Sequence, residues 1–250
     1  MSKSDSGSLP GPRHGVARVL SKRGLCSRSQ AAAWVRAGRV RINGRVVRDP
    51  EYPVHTGRDQ VEVDGAEARS GPPLYVMLNK PRGLVTTARD EQGRDTVYRC
   101  FEGAGLPWIA PVGRLDRASE GLLLFSNDPV WSARVTGPAG VEKLYHVQIN
   151  GIPDAAQLAR LQNGIEDNGE MLKAKSVRLL RQGARNAWLE IILEQGRNRQ
   201  IRRMLSALDI SVLRLIRIAI GPLALGDLGK GQWRYLDRQE IEALGNDRIA

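Results

Sequence analysis

Asp116 stands between two arginines in a segment that could carry covalent chemistry. The segment reads Arg114-Leu115-Asp116-Arg117, and we predict that it forms a loop before a strongly apolar strand. Flanking cations favour the ionised form of a carboxylate, and an ionised carboxylate serves as a nucleophile or counter-ion rather than as a general acid. An arbitrary tetrapeptide of this kind is more often a surface ion pair, so the wider sequence has to decide.

Other kinds of catalytic site find little support in the sequence. His14, His55 and His146 are far apart, with no cysteine or acidic cluster beside them, so we expect no metal site. Asp116 and Glu120 are four residues apart, as in a pair of glycosidase carboxylates, but the glycines around them predict a loop, in which spacing does not fix geometry. No glycine-rich phosphate loop precedes a predicted helix.

Positive charge is concentrated near the N-terminus. The chain has 250 residues and a net charge of +11; residues 13–48 contain ten cations and no acid, whereas residues 49–250 carry 27 cations and 26 acids. Most of the cations are arginine, which binds phosphate through a forked pair of donors. A preference for arginine codons would explain arginine over lysine but not the missing acids. We therefore expect nucleic-acid binding rather than a merely solvated charged face.

The basic segment has the pattern of a small helix–helix–strand module, predicted over residues 14–66. Ser27 and Gln30 fit a capping box at the start of its second helix. Asn43-Gly44, between runs of alternating apolar and basic residues, is a strong hairpin signal. Residues 1–13 have the composition of a disordered tail.

Two strings of this module, residues 20–28 and 37–44, resemble the S4 RNA-binding domain. The resemblance implies that its helices and hairpin contact structured RNA; an unrelated helix–hairpin motif is the alternative. The cations expected to contact RNA here are Arg18, Lys22, Arg23, Arg28, Arg39 and Arg41.

The rest of the chain predicts a second domain over residues 74–250, joined by a Pro/Gly-containing linker at residues 67–73. Predicted strands outnumber helices there, which indicates an α+β fold. The predicted helices include residues 154–162 and 198–208.

Four segments of this domain, in chain order, resemble pseudouridine synthases. Residues 112–125 contain Gly-Arg-Leu-Asp-x-x-Ser-x-Gly-Leu-Leu-Leu, which is similar to the catalytic signature of that family. Residues 78–83, 142–147 and 194–205 resemble its opening strand, its Lys-x-Tyr-x-Val strand and its arginine-rich helix start. With the N-terminal module, the resemblance covers about residues 14–236 and indicates the RsuA-like branch, which acts on ribosomal RNA. It implies a mixed, mainly antiparallel sheet.

The resemblance implies a role for each matching residue. Asp116 would be the nucleophile, attacking either the sugar or the base, and Arg202 would pair with it. Tyr145 would stack on the uracil, and Arg114 would fill the helix gap left by a flipped uridine. Taken alone, Tyr145 could be a half-buried core residue and Arg202 a phosphate contact. Further RNA contacts are expected at Lys80, Arg197, Arg199 and Arg203.

Isomerisation of uridine adds neither atoms nor electrons, so the resemblance implies no cofactor. We expect a cytoplasmic monomer whose partner is ribosomal RNA, the large subunit favoured over the small, and no membrane association, because no apolar run approaches the roughly 20 residues of a span. Two alternatives remain. A non-catalytic RNA-binding or ribosome-assembly factor of the same ancestry would be expected to lack the catalytic residues, and a nucleoside hydrolase would release free base.

Overall fold

The structure is a computed structural model that describes residues 13–137 and 141–245. The described residues form two compact units. The first comprises the chain up to Pro73 together with Pro107–Ala110 and Asn127–Pro129, and the second comprises the remainder. The predicted disordered tail lies outside the described residues, except that Arg13 opens the first strand.

The first unit packs two helices against short strands. In chain order its elements are β1 (Arg13–Gly15), α1 (Val16–Lys22), α2 (Arg28–Arg36), β2 (Val40–Ile42), β3 (Arg45–Val47), β4 (Pro53–His55), β5 (Val61–Val63) and β6 (Ala66–Glu67). Strand β1 pairs with β4, and the other four strands form a sheet in the order β3-β2-β5-β6. The buried core comes from valines, leucines and alanines of both helices and of the sheet.

Local signals in the sequence account for the turns of this unit. Ser27 accepts a hydrogen bond from the backbone N–H of Gln30 through its hydroxyl, which caps α2. Asn43 and Gly44 have φ values of 49° and 78°, the left-handed pair that a two-residue hairpin turn requires. Glu67, predicted as the first linker residue, instead pairs with Glu62 in the sheet, because β6 extends the meander by one short strand.

From Tyr75 onward the chain builds a larger sheet flanked by helices. The elements are β7 (Tyr75–Lys80), a 3-10 helix (Val97–Phe101), β8 (Ala110–Val112), β9 (Glu120–Ser126), α3 (Pro129–Thr136), β10 (Lys143–Asn150), α4 (Ala155–Asn163), β11 (Ile165–Asp167), β12 (Glu170–Leu172), β13 (Ser176–Gln182), β14 (Asn186–Leu193), α5 (Gln200–Ser206), β15 (Val212–Ile220), β16 (Leu223–Ala224), β17 (Trp233–Tyr235) and α6 (Arg238–Gly245). No helix in the described parts of the chain has the length and apolarity needed to cross a membrane.

The main sheet has the strand order β13-β14-β10-β15-β9-β7-β17, with β16 and β8 paired to its central strands. Strands β15 and β9 run parallel, and the other neighbours along this path run antiparallel. The predicted α+β class with a mixed, mainly antiparallel sheet is confirmed. Strand β9 is buried along its whole length, so the strand that follows Asp116 anchors the centre of this unit.

Candidate active site

The loop formed by residues 113–119, between β8 and β9, is held in place by the segment that follows β7. The backbone N–H of Gly83 donates to the Arg117 carbonyl at 2.8 Å, and Arg117 Nε donates back to the Gly83 carbonyl at 3.1 Å. The buried Thr86 hydroxyl donates to the Leu115 carbonyl at 2.7 Å. These bonds fix the backbone on both sides of Asp116.

Lys80 supports the same loop from inside the protein. Its side chain is fully buried, and its ammonium donates to the carbonyls of Ser119, at 2.9 Å, and Pro81, at 3.0 Å. Burial lowers the pKa of Lys80 to about 8, partly opposed by Cys100 and by nearby acids. The predicted contact of Lys80 with RNA stays a prediction, made weaker because the ammonium is enclosed and donates to two backbone carbonyls.

The Asp116 carboxylate faces two arginines from the start of α5. Its Oδ2 lies 3.4 Å from Arg199 Nη1 and 3.9 Å from Arg202 Nε. Both distances are longer than the 2.7–2.9 Å typical of strong charge-assisted hydrogen bonds. The two cations therefore lie close enough to orient the carboxylate while leaving its oxygens available for chemistry. Its sequence neighbour Arg117 is directed to Gly83 instead.

Arg202 is the more enclosed of the two arginines. Its side chain is 15% exposed, against 53% for Arg199. Arg202 Nη2 donates to the Ala118 carbonyl at 3.2 Å, whereas its buried Nε has no hydrogen-bond partner among the described residues. Burial and, secondly, the charge of Arg199 lower the pKa of Arg202, while Asp116 opposes them. Arg202 lies within ion-pair distance of Asp116, as predicted, and Arg199 is a second arginine within that distance.

The other two arginines of this segment pair with acids on the β11–β12 hairpin. Arg203 contacts Asp167 at 2.5 Å and Glu170 at 2.6 Å, and Arg197 contacts Glu170 at 2.8 Å. Their contacts with RNA stay predictions, and these are weaker because both guanidinium groups already pair with carboxylates of the protein. The segment therefore divides its four arginines between holding a hairpin and facing Asp116.

Alternate strand positions place Tyr145 on the wall of the site. Tyr145 on β10 is 7% exposed and lies directly opposite Arg217 on β15, so the two side chains share one face of the sheet. Arg217 and Lys143 were not predicted as site residues. The alternation of side chains along a strand could have revealed Lys143, because it lies two residues before Tyr145 and therefore on the same face of the sheet.

A cavity of about 170 Å³ opens between this wall, the loop of residues 113–119 and the start of α5. Asp116, Tyr145 and Arg217 all line it, together with Arg114 and Arg199. The volume is below the roughly 300–1,000 Å³ of pockets for drug-sized ligands, which suits a single-ring group. Arg114 is exposed and also borders a groove beside residues 85–94. Within the described residues, no group of three or more His, Cys, Asp or Glu side chains could hold a metal ion.

The predicted RNA contacts of the first unit are mostly exposed. Arg18, Lys22, Arg28, Arg39 and Arg41 lie at the surface. Two of these arginines pair with acids, Arg28 with Glu51 and Arg39 with Asp64. Arg23 is half-buried.

Arg23 donates to the Ala68 carbonyl at 2.8 Å, so part of its guanidinium serves the fold of the unit. Contacts of these six cations with RNA stay predictions.

Comparison with known proteins identifies the family. The family described as RNA pseudouridylate synthase matches residues 74–207, and the S4 domain matches residues 16–61. An uncharacterized RNA pseudouridine synthase of Aquifex aeolicus (strain VF5) is 37% identical over 92% of both chains. The ribosomal large subunit pseudouridine synthase B of Bacillus subtilis (strain 168) is 35% identical over 91% of this chain and 93% of its own.

A solved structure agrees with the sequence relatives. The crystal structure of a pseudouridylate synthase, 31% identical, superimposes with a TM-score of 0.63 over 92% of this chain and 99% of that chain. The resemblance predicted from the four segments and the N-terminal module is thereby confirmed. The chain belongs to the RNA pseudouridylate synthase family, and it is an isomerase with an S4 domain at its N-terminal end.

Proposed function

We propose that this chain converts a uridine of ribosomal RNA into pseudouridine, with Asp116 as the covalent nucleophile and with the target base flipped into the cavity. The observation that carries the proposal is the arrangement around Asp116. A carboxylate facing two arginines borders a cavity that a tyrosine also lines, and the cavity has room for one pyrimidine ring. The large-subunit RNA is favoured because a relative of similar length is named for that substrate.

The reaction needs a nucleophile, a way to hold the base, and no external group. The bond between C1′ and N1 breaks and its electron pair stays on the base. The base turns, C5 bonds to C1′, the proton on C5 is lost and N1 takes up a proton. Asp116 bonds transiently to the sugar or to the base and is released at the end. Arg202 and Arg199 keep the carboxylate oriented between these steps.

Each wall of the cavity supplies one further function. Tyr145 presents an aromatic ring on which the uracil stacks. Arg114, exposed at the rim, occupies the space that the flipped uridine leaves in the RNA helix. The hydrogen bonds from Gly83 and Thr86 to the loop hold Arg114 and Asp116 in position relative to each other, because they fix the backbone that carries both residues.

The first unit supplies RNA docking in this proposal. Its exposed cations contact phosphates, so it contributes affinity rather than chemistry. We assign docking to residues 14–66 and catalysis to residues 74–250, in a monomer that acts in the cytoplasm without a cofactor. A purely non-catalytic factor is disfavoured because the aspartate and the tyrosine line one cavity, and Arg202 lies within ion-pair distance of the aspartate.

The experiment is pseudouridine mapping of ribosomal RNA from cells with and without the gene. We expect one uridine to lose its modification when the gene is deleted, and the purified chain to restore it on RNA from the deleted strain. Chromatography of the same reaction should show no free uracil. Unchanged modification in the deleted strain, together with no activity of the purified chain, would overturn the proposal. Release of uracil would indicate hydrolysis instead.

A further inference from the structure

Arg217 is a buried cation with an unused donor on the wall of the cavity. Its side chain is 5% exposed, and its Nε donates to the Leu122 carbonyl at 2.7 Å. Its Nη2 is buried and has no hydrogen-bond partner among the described residues. Buried donors are nearly always paired in native proteins, so an unpaired one in a cavity wall indicates a ligand that completes it.

The surroundings of Arg217 favour a ligand that carries negative charge. Lys143 lines the same cavity, and burial, followed by repulsion from Arg217, lowers its pKa. Among the described residues that line the cavity, Asp116 is the one acid. The Ser119 hydroxyl, also buried in this lining, has no partner there either. Two cations and an unpartnered hydroxyl thus belong to residues that line this cavity, and an uncharged apolar ligand would leave their donors without partners.

Uracil gains negative charge during the proposed reaction. If Asp116 attacks the sugar, the electron pair of the broken C1′–N1 bond stays on the ring and spreads onto the carbonyl oxygens O2 and O4. If Asp116 adds to C6 of the base, the charge moves to O4 through C5. Both routes place an oxyanion on the ring, and a fixed donor aimed at an oxyanion is among the strongest catalytic devices known.

We propose that Arg217 is a catalytic residue that donates through Nη2 to a carbonyl oxygen of the flipped uracil and stabilises the negative charge that the ring carries when it leaves the sugar. The inference rests on the proposed function, because it needs uracil in the cavity. The Nε bond to Leu122 orients the guanidinium, and the register of β15 against β10 puts it on the same face as Tyr145.

The test compares two RNAs with two variants. One RNA carries the target uridine identified by mapping, and the other carries 5-fluorouridine there. Fluorine makes the departing ring a weaker base, so that it depends less on a stabilising cation. The variants are Arg217→Met and the matched control Arg181→Met, an exposed arginine of β13 that stacks on Trp188. Consumption of the starting nucleoside is measured under single-turnover conditions, because a fluorine at C5 prevents the normal last step.

We expect Arg217→Met to slow the reaction of the uridine RNA by about 10²–10³-fold. On the fluorinated RNA the deficit should be at least about tenfold smaller, and RNA affinity should change by less than about threefold. The control should match the wild type on both RNAs. An equal deficit on both RNAs, or none, overturns the inference, because a purely structural role does not depend on the leaving group.

Two further outcomes are separated by the design. If the wild type makes no pseudouridine in the mapped RNA, the proposed function fails and the inference falls with it. If Arg217→Met does not fold, as circular dichroism would show, Arg217→Lys keeps a cation in the wall. This variant should show a smaller deficit that again shrinks with fluorine, and a deficit that is the same on both RNAs would contradict the assignment.

Discussion

Gly121 lies against the backbone of Arg217, so closely that a β-carbon at position 121 would be 2.3 Å from the Arg217 carbonyl oxygen and 2.8 Å from its amide nitrogen. This approach occurs where β9 and β15 pair in parallel. Because Asp116 precedes β9 and Arg217 lies on β15, the same contact brings the carboxylate and the buried arginine to one cavity.

Gly121→Ala is expected to destabilise the protein strongly and to abolish activity. Gly121 has a φ of +100°, which strains any residue with a side chain, and its new methyl group would meet backbone atoms that cannot move without separating the strands. We expect a loss of at least about 3 kcal/mol in the free energy of unfolding, measured with urea. Gly103→Ala is the control, since its φ is +76° and no atom lies within 4 Å of the added carbon. Equal losses for both variants would show that the close approach is unimportant.

Asp116→Asn should abolish pseudouridine formation without weakening RNA binding. The amide keeps the size of the side chain but cannot act as a nucleophile, so we expect the single-turnover rate to fall by at least about four orders of magnitude. Affinity for ribosomal RNA should stay the same or rise slightly, because a negative charge is removed. Asp209→Asn, at an exposed turn after α5, controls for loss of an acid. Residual activity above this limit would contradict covalent catalysis by Asp116.

Local signals in the sequence were sufficient for much of the fold. The Asn43-Gly44 hairpin and the Ser27 cap depend on residues two or three positions apart, so the sequence alone predicts them. The predicted helix over residues 198–208 is shorter in the structure and begins at Gln200. Arg199 has a φ of +49°, which the arginine-rich pattern did not indicate.

Long-range pairing accounts for what the sequence could not predict in the site. The contact between Arg199 and Asp116 joins residues 83 positions apart. Lysine is rarely buried, so the residue type gave no indication that the side chain of Lys80 is enclosed. Arg217 was not predicted as a site residue, because its neighbour Tyr145 comes from another strand, and the pattern of residues does not reveal the register of the two strands.

Arg202→Gln should cost more activity than Arg199→Gln, although Arg199 is closer to the carboxylate. The side chain of Arg202 is largely enclosed, whereas Arg199 is half exposed and screened by water. Arg202 also holds the Ala118 carbonyl of the loop. We expect rate losses of about 10²–10³-fold for Arg202→Gln and under tenfold for Arg199→Gln, in single-turnover assays. The reverse order would mean that distance to Asp116 outweighs burial.

Removal of surface cations from α1 should weaken RNA binding in a salt-dependent way. Arg18 and Lys22 are exposed on this helix, and each phosphate contact releases a counterion from the RNA. We expect Arg18→Gln combined with Lys22→Gln to reduce the slope of log affinity against log salt by about two, between 50 and 200 mM salt. Activity at saturating RNA should be unaffected. Arg238→Gln on α6 is the control, and an equal change there would indicate a nonspecific effect of net charge.

The stability of the wild type, compared with that of a variant that lacks Lys80, should increase as the pH rises from 7.5 to 10. Burial lowers its pKa to about 8 in the folded state, against about 10.4 in an unfolded chain. Below pH 8 the ammonium is charged in both states, and the cost of burying that charge is fully present. Between pH 8 and 10.4 the unfolded chain binds more protons at this site, so the free energy of unfolding rises with pH.

The comparison is between the wild type and Lys80→Met, each unfolded with urea at several pH values. We expect the difference in unfolding free energy to move in favour of the wild type by roughly 1–3 kcal/mol across this range. The neutral amine still has N–H groups for the carbonyls of Pro81 and Ser119, so the loop that carries Asp116 keeps its support. A flat or falling difference would mean that Lys80 is not desolvated in solution as it is in the structure.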